Sequence, residues 1–219
     1  MRGDGGTGTV ADRVADDAAD DAPDTAVRRN CIELLRHGDT GHRGFRGQLD
    51  DLPTEQGLAQ MRAAVAGRSW DVLVSSPLRR CALFAREFAT ALGVPLRLEP
   101  RLAEYRFGRW QGVPMELLAE KQGAALARFW ADPAAHPPPG AETIAQFDAR
   151  VRAALADVAN AFDGRRVLVV THGGVIRLLT CRALGLPWSR MASLEVPHAS
   201  LHRLRDGRLS PADDGIGAR

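Results

Sequence analysis

The chain has 219 residues, of which 45% are hydrophobic, so it is long enough for one substantial α/β domain and short for two. Its 29 basic residues nearly balance 27 acidic ones, and the arginines are scattered, which argues against a nucleic-acid-binding patch. The sequence shows neither an apolar stretch of membrane-spanning length nor a signal peptide. We therefore expect a cytoplasmic protein with neither nucleic acid nor a membrane as its partner.

Residues 1–28 differ in composition from the rest of the chain. They are rich in Gly, Asp and Ala and carry almost no large apolar side chains. Such a segment buries too little surface to offset the entropy that ordering would cost. We predict a disordered acidic extension at 1–28 and one folded domain over 29–219.

The hydrophobic patterns alternate between strands and helices along the chain. In chain order they predict strand 30–36, helix 54–67, strand 71–75, helix 77–92, strand 95–98, helices 114–121, 123–131 and 142–161, strand 167–171, helix 174–185 and strand 199–205. The segment from Asp206 onward is predicted to be a loop. This alternation is typical of a mostly parallel sheet with helices on both faces, so the expected fold class is three-layer α/β/α.

Two of the predicted strands end on a histidine. One apolar run ends on Arg36-His37, and another, far downstream, ends on His172-Gly173. The carboxyl ends of parallel strands meet at one edge of a sheet, where open α/β sheets bind their ligands. The two histidines therefore predict one shared pocket for an anion.

A third basic element follows the strand predicted at 71–75. Ser-Ser-Pro at 75–77 is typical of a helix start, with serine as the cap and proline in the first turn. This interpretation puts Arg79 in the opening turn, close to the strand end, where a guanidinium can grip two phosphate oxygens at once. Arg80 and Arg177 are expected to be structural or to lie on helix surfaces.

With these motifs the sequence resembles the histidine phosphatase superfamily, in the branch of cofactor-dependent phosphoglycerate mutases and small phosphatases. The matching segments follow the family order: LLRHGDT at 34–40, DDLPTEQG at 50–57, SSPLRRC at 75–81, LAEYRFGRWQG at 102–112, PPGAET at 138–143 and VVTHGGVIR at 169–177. The segments at 44–57 and 196–204 look most like those of α-ribazole phosphatases. The resemblance implies a phosphoglycerate mutase-like fold.

The resemblance also implies a metal-independent reaction with no cofactor. His37 would attack phosphorus to give a phosphohistidine, which splits one difficult step into two. Arg36, Arg79 and His172 would stabilise the charge on the transferring oxygens, with His172 at least partly protonated while phosphate is bound. Glu104 is assigned as general acid and base only because the family places its acid in this motif.

The same residues and a neighbouring loop predict the substrate-binding set. The loop at 41–47 carries two arginines among three glycines and either contacts the rest of the substrate or is simply a flexible basic loop. His198 and His202 have an i, i+4 spacing, but their segment is predicted to be extended and to lead into the strand at 199–205, so we expect no metal site there. The predicted substrate-binding residues are Arg36, Thr40, Arg43, Arg46, Arg79, Glu104, His172 and Gly173.

Several functions remain compatible with these residues. The resemblance favours hydrolysis of α-ribazole 5′-phosphate, which belongs to the assembly of the cobalamin nucleotide loop. Alternatives are a phosphatase of another small phosphate monoester, such as a sugar phosphate or nucleotide, and a phosphoglycerate mutase. An inactive phosphate-binding scaffold is an alternative of another class. The sequence also leaves open whether the protein is a homodimer.

Overall fold

The computed structural model of the protein describes residues 31–205 and 208–211, so the acidic extension predicted at 1–28 lies outside the described residues. Its strands are β1 Cys31–Arg36, β2 Val72–Ser75, β3 Leu96–Leu98, β4 Arg166–Thr171, β5 Leu201–Arg205 and β6 Arg208–Pro211. They form one sheet in the order β3-β2-β4-β1-β5-β6. The first four are parallel to one another, whereas β5 is antiparallel to β1, and β6 to β5.

The helices occupy the two faces of this sheet. They are α1 Glu55–Val65, α2 Arg79–Leu92, α3 Met115–Ala131, α4 Ile144–Ala161 and α5 Gly173–Ala183. Side chains of β1, β2 and β4 alternate between two buried clusters: Leu34 and Val169 pack with α3, α4 and α5, and Leu35 and Leu168 pack with α1 and α2. The predicted three-layer α/β/α architecture with a mostly parallel sheet is confirmed.

Two parts of the chain differ in secondary structure from the sequence prediction. The segment after Asp206 was expected to be a loop, but Arg208–Pro211 forms the edge strand β6. The helices predicted at 114–121 and 123–131 are one element, kinked where Gln122 leaves the helical dihedrals at φ −138° and ψ 29°. The Gln122 carboxamide oxygen accepts a hydrogen bond from Trp110 Nε1 at 3.0 Å, so a tertiary contact accompanies the kink.

Helix α2 begins later than predicted, and without a serine cap. Its first residue is Arg79, and the preceding Leu78 makes no side-chain capping hydrogen bond. Instead, the Asp50 carboxylate accepts a hydrogen bond from the Arg79 backbone N–H at 2.7 Å. The hydroxyl of Ser76, the predicted cap, accepts from the Leu78 N–H at 3.3 Å, just before the helix, and lies 2.8 Å from His172 Nε2. A carboxylate from a distant loop therefore accepts from an N–H group of the first turn, which has no acceptor within the helix.

The backbone that follows β1 passes very close to the backbone of α1. A Cβ atom on Gly38 would lie 2.0 Å from the Gly57 carbonyl oxygen, and a Cβ on Gly57 would lie 2.1 Å from the Asp39 carbonyl oxygen. Only two glycines allow the backbones to approach so closely. Thr54 adds a hydrogen bond from its hydroxyl to the Asp39 carboxylate at 3.1 Å. These contacts fix the loop that follows His37.

Candidate active site

A cavity of about 330 Å³ opens at the carboxyl ends of β1 and β4, as the two strand-end histidines predicted. The two ends are joined directly, because the His37 N–H donates to the Thr171 carbonyl at 2.9 Å. The predicted site residues that line the cavity are Arg36, His37, Thr40, Arg46, Glu104 and Gly173. Arg43 and Arg79 lie outside it, and His172 is fully buried behind it.

The His37 imidazole is held in its neutral form. Its Nδ1 lies 2.8 Å from the Gly38 carbonyl oxygen, which can only accept, so Nδ1 carries the proton and Nε2 keeps a free lone pair. Burial, together with the positive charge of Arg80, lowers the pKa of His37 from 6.5 to about 3. The imidazole is therefore uncharged at neutral pH, and Nε2 can attack an electrophile.

His172 is neutral in this structure. Arg80 donates from Nε to His172 Nδ1 at 3.2 Å, which leaves the proton on Nε2, and Nε2 lies 2.8 Å from the Ser76 hydroxyl. Burial and the charge of Arg80 hold the pKa of His172 well below its usual value. The ring centroids of His37 and His172 are 5.3 Å apart. Partial protonation of His172 was predicted for the phosphate-bound state, and it stays a prediction for that state.

The guanidinium that reaches the site from α2 belongs to Arg80, and the placement of Arg79 beside the phosphate pocket is wrong. Arg79 is exposed, whereas Arg80 is 2% exposed and lines the cavity. Arg80 donates to the carbonyls of Gly47 at 2.6 Å and Leu49 at 2.7 Å. Arg80 was expected to be structural or to lie on a helix surface; its burial excludes the helix surface, and its hydrogen bonds to two backbone carbonyls are structural.

The helical phase of α2 explains this difference. Successive residues on a helix are about 100° apart, so neighbouring arginines face different directions. The buried residues of α2 share one face, and Arg80 lies on it, four residues before Phe84. The apolar spacing of this segment was the sequence signal that could have identified Arg80.

Arg36 presents an unpaired donor at the cavity. It donates from Nη1 to the Val196 carbonyl, but within the described chain its buried Nε has no hydrogen-bond partner. Burial and the nearby charge of Arg177 lower its pKa to about 10, so the guanidinium is still cationic at neutral pH. A Cβ on Gly173 would lie 3.2 Å from that Nε. A buried cationic N–H without a partner suits an anion bound in the cavity.

The Glu104 carboxylate lies at the first turn of α5. One oxygen accepts from the Gly174 N–H at 3.0 Å and the other from the Tyr105 N–H at 2.9 Å. An acidic group is favoured at a helix N-terminus, where backbone N–H groups point outward. A Cβ on Gly174 would lie 2.1 Å from a Glu104 carboxylate oxygen. Gly174 therefore makes room for this carboxylate.

Arg150, which the sequence analysis missed, holds the backbone of the Glu104 loop. From α4 it donates to the carbonyls of Ala103 at 2.7 Å and Glu104 at 2.9 Å. It also pairs with buried Glu142 at 2.6 Å. The signal was a glutamate in PPGAET followed eight residues later by an arginine on one predicted helix. The spacing indicates a pair, but only the fold shows that the pair supports Glu104.

Part of the cavity lining is a set of aromatic side chains, the aromatic wall. The rings of Phe45 and Phe107 have centroids 4.5 Å apart, and the exposed ring of Trp130 lies 5.4 Å from Phe45. The aromatic residues that line the cavity are Phe45, Tyr105, Phe107, Phe129 and Trp130. These side chains come from three separate segments, so no local pattern in the sequence indicates their meeting.

The glycine-rich basic loop contributes less free charge than expected. Arg46 lines the cavity, but it donates two hydrogen bonds to the Asp51 carboxylate, at 2.8 and 2.6 Å. Arg43 is exposed and lies outside the cavity. His42 and Thr40 line it. The structure therefore places one of the loop's two arginines at the site, already paired with a carboxylate.

The described part of the chain also bears on metal binding and on membrane insertion. Over residues 31–205 and 208–211, no three His, Cys, Asp or Glu side chains are grouped so that they could hold a metal ion. In the same part of the chain, none of the helices has the length and apolar character needed to cross a membrane.

The sequence also matches known proteins. The sequence model of the histidine phosphatase superfamily (branch 1) matches residues 32–209. The glucosyl-3-phosphoglycerate phosphatase of Mycobacterium tuberculosis (strain H37Rv) is 33% identical over 204 residues, which cover 86% of this chain and 90% of that protein. The native structure of a mycobacterial glucosyl-3-phosphoglycerate phosphatase has a TM-score of 0.72 and 29% identity, over 83% of this chain and 96% of that one.

A putative α-ribazole-5′-P phosphatase from Escherichia coli K-12 is similar in structure. Its TM-score is 0.72 at 24% identity, covering 87% of this chain and all (100%) of that one. At that identity the likeness shows the fold alone. The match to the family model extends over most of the chain and includes both strand-end histidines. The chain therefore belongs to the histidine phosphatase superfamily, branch 1, and is a phosphatase.

Proposed function

We propose that the protein is a metal-independent phosphomonoesterase that works through a phosphohistidine on His37. The free lone pair of His37 Nε2 carries this proposal, because it leaves a neutral nucleophile facing the cavity. Nε2 attacks phosphorus, the P–O bond to the substrate alcohol breaks, and water then attacks the phosphohistidine to release phosphate and restore the imidazole. The unpaired Nε of Arg36 and the charge of Arg80 stabilise the phosphoryl oxygens.

Glu104 completes the two steps as acid and then base. Its carboxyl group protonates the leaving alkoxide, and in the second step it takes a proton from the attacking water. Its position, half-buried at the cavity and fixed by two backbone N–H groups, supports this role.

Glu104→Gln should lower kcat on alkyl phosphates by about 10²- to 10⁴-fold, because the amide cannot deliver a proton. p-Nitrophenyl phosphate, whose leaving group needs little protonation, should lose far less. Steady-state kinetics on both esters checks this expectation. Equal losses on the two esters would contradict the role of Glu104 as a general acid.

Gly174→Ala should displace Glu104 without unfolding the protein. The new methyl group would meet a carboxylate oxygen at 2.1 Å, and that oxygen is the end of a flexible side chain. We expect the same selective loss on alkyl phosphates and a Tm close to that of the wild type. Gly123→Ala is the matched control, since a Cβ there has no atom within 4 Å and alanine favours the helix. Wild-type kinetics of Gly174→Ala would show that the position of Glu104 is unimportant.

The aromatic wall favours a phosphate ester whose alcohol part carries a flat apolar group. Stacked rings bind such groups by area burial and by offset or edge-to-face contacts. α-Ribazole 5′-phosphate carries an aromatic base on a ribose phosphate and so fits this wall. We therefore propose it as the substrate.

A second candidate is glucosyl-3-phosphoglycerate. The 33% identity to the mycobacterial glucosyl-3-phosphoglycerate phosphatase over 86% of this chain favours it. Its carboxylate needs a cation beside the phosphate site, and Arg177 lines the cavity while donating from Nε to the Leu194 carbonyl at 2.8 Å. Arg177 was expected to be a structural or surface residue, and this position gives it access to a substrate.

The two candidates separate in one assay of phosphate release. α-Ribazole 5′-phosphate, glucosyl-3-phosphoglycerate and p-nitrophenyl phosphate are compared by kcat/KM, each with and without EDTA. We expect full activity in EDTA and the highest kcat/KM for the ribazole ester. Trp130→Ala should lower kcat/KM for that ester more than for the other two. A preference for glucosyl-3-phosphoglycerate would replace the first candidate by the second, and a loss in EDTA that metal restores would contradict the metal-free reaction.

A further inference from the structure

A strained turn lies beside the nucleophile, between α5 and β5. The Ser200 N–H donates to the Pro197 carbonyl at 3.1 Å, which closes a four-residue turn. Ala199 adopts φ 57° and is the one non-glycine residue of the described chain with a positive φ. Alanine rarely takes this conformation, and such strain persists only where the surroundings impose it. The position is also buried, so the turn is held in place.

The surroundings that impose the strain are the backbone of the active-site strand. The Arg36 N–H donates to the Ser200 carbonyl at 3.0 Å, and the Ala199 N–H donates to the His37 carbonyl at 3.4 Å. The turn is therefore hydrogen-bonded to the two residues that carry the guanidinium and the nucleophile. The remaining residue of the turn, His198, is fixed relative to them.

His198 faces the cavity with a free imidazole. It lines the cavity, and its ring centroid lies 5.8 Å from that of His37. No hydrogen bond joins its ring to any residue that the structure describes. The other two histidines of this region differ, because Arg80 and Ser76 occupy both nitrogens of His172, and His202 contacts the Ser200 hydroxyl at 2.9 Å.

The charged and titratable neighbours of His198 include two residues of the proposed phosphate site, Arg36 and His37. Arg36 and Asp39 act on it from the end of β1 and the loop after it, and His37 is the third titratable group nearby. Burial and the charge of Arg36 lower the pKa of His198, while Asp39 raises it. Burial and Arg36 therefore favour the neutral form of the imidazole. A bound phosphate dianion would add negative charge beside it and favour its protonated form.

We propose that His198 is a further catalytic residue, which donates a hydrogen bond to the phosphoryl oxygens and takes up a proton when phosphate binds. This role rests on the proposed reaction at His37. It differs from that of His172, whose nitrogens both contact protein groups in this structure. The strained turn at Ala199 then has a function, since it holds the His198 imidazole beside the phosphate site.

The test measures the binding of inorganic phosphate, which has no leaving group. Calorimetric titration is carried out with His198→Ala, His198→Asn and, as matched control, His136→Ala, an exposed histidine outside the cavity. We expect Kd to rise about 10- to 100-fold in His198→Ala, as for a lost hydrogen bond to a charged group. The amide of His198→Asn should restore part of the affinity, and His136→Ala should bind like the wild type.

A second measurement uses the wild-type protein and so does not depend on how the variants fold. Nitrogen-detected NMR of the histidine rings should show one pKa rising on addition of phosphate, in a signal that is missing from His198→Asn. A Kd within twofold of the wild type in folded His198→Ala, or no such rise, would overturn the proposal. Weaker turnover of large esters with unchanged phosphate binding would also overturn it, since that pattern indicates a leaving-group contact. Phosphate binding by His37→Ala, which needs no turnover, separates these outcomes from a failure of the phosphohistidine mechanism.

Discussion

His37→Ala is expected to lower kcat by at least about 10⁴-fold and to abolish acid-labile phosphate labelling of the protein. The loss is large because no neighbouring group can take over the nucleophile's role. His172 is fully buried with both nitrogens engaged, and His198 lies on a separate turn, with its ring centroid 5.8 Å from that of His37. Rapid quenching during turnover with labelled substrate, followed by acid and base treatment, measures both effects.

The buried position of His37 requires a control for folding. Its side chain is 7% exposed, so alanine leaves a small space beside the cavity, and the Tm of the variant must be measured alongside its activity. Turnover that persists in a folded His37→Ala would show that water attacks the substrate directly. Labelling that persists would place the phosphoryl group on another residue.

The same imidazole gives the stability of the protein a predictable pH dependence. The folded-state pKa of His37 is lowered to about 3, so between that value and 6.5 only the unfolded chain takes up the proton. The free energy of unfolding therefore falls as the pH falls below 6.5, by about 2 kcal/mol between pH 7 and pH 5 for this one group. Urea unfolding at the two pH values should show a smaller difference for His37→Asn than for the wild type. Equal differences would mean that His37 is not held neutral by the fold.

The part of the site that lies at the ends of strands could be predicted from the sequence. Apolar runs that stop at Arg36-His37 and His172-Gly173 lie in neighbouring parallel strands, and the sheet brings their ends together. The pair could be predicted because each histidine follows its strand directly. The role of Glu104 could not be derived in this way, since its position depends on a loop that Arg150 holds from another helix.

Other parts of the site depend on contacts between distant segments. The aromatic wall combines Phe45, Phe107 and Trp130, which lie far apart in the sequence and meet only in the fold. The position of His198 depends on a turn hydrogen-bonded to β1. Its i, i+4 spacing from His202 was considered only for a metal site. Periodicity identifies faces of single elements, but it does not show which faces meet.

The second large expected effect is a loss of activity on substitution of Arg80 but not of Arg79. Arg80→Ala should lower kcat/KM by about 10²- to 10³-fold, as the loss of one preorganised charge beside a developing anion typically does. Arg79→Ala should stay within about twofold of the wild type, because its side chain is exposed and its capping contact with Asp50 uses the backbone. The two substitutions are chemically identical and adjacent, so each controls for the other.

Arg80 also donates to the carbonyls of Gly47 and Leu49. The measurement must therefore distinguish the loss of its positive charge from the loss of its structural support for this loop. Inhibition by orthovanadate, a phosphate-like anion, reports the charge, and the Tm reports the support. Arg80→Lys keeps the charge but lacks the planar fork, so it should recover part of the vanadate affinity while the lower Tm remains. If Arg79→Ala loses activity and Arg80→Ala does not, then the guanidinium used in catalysis is the one that points to solvent here. That result would require α2 to turn about its axis when phosphate binds, since the phase of its buried face places Arg80, and not Arg79, at the cavity.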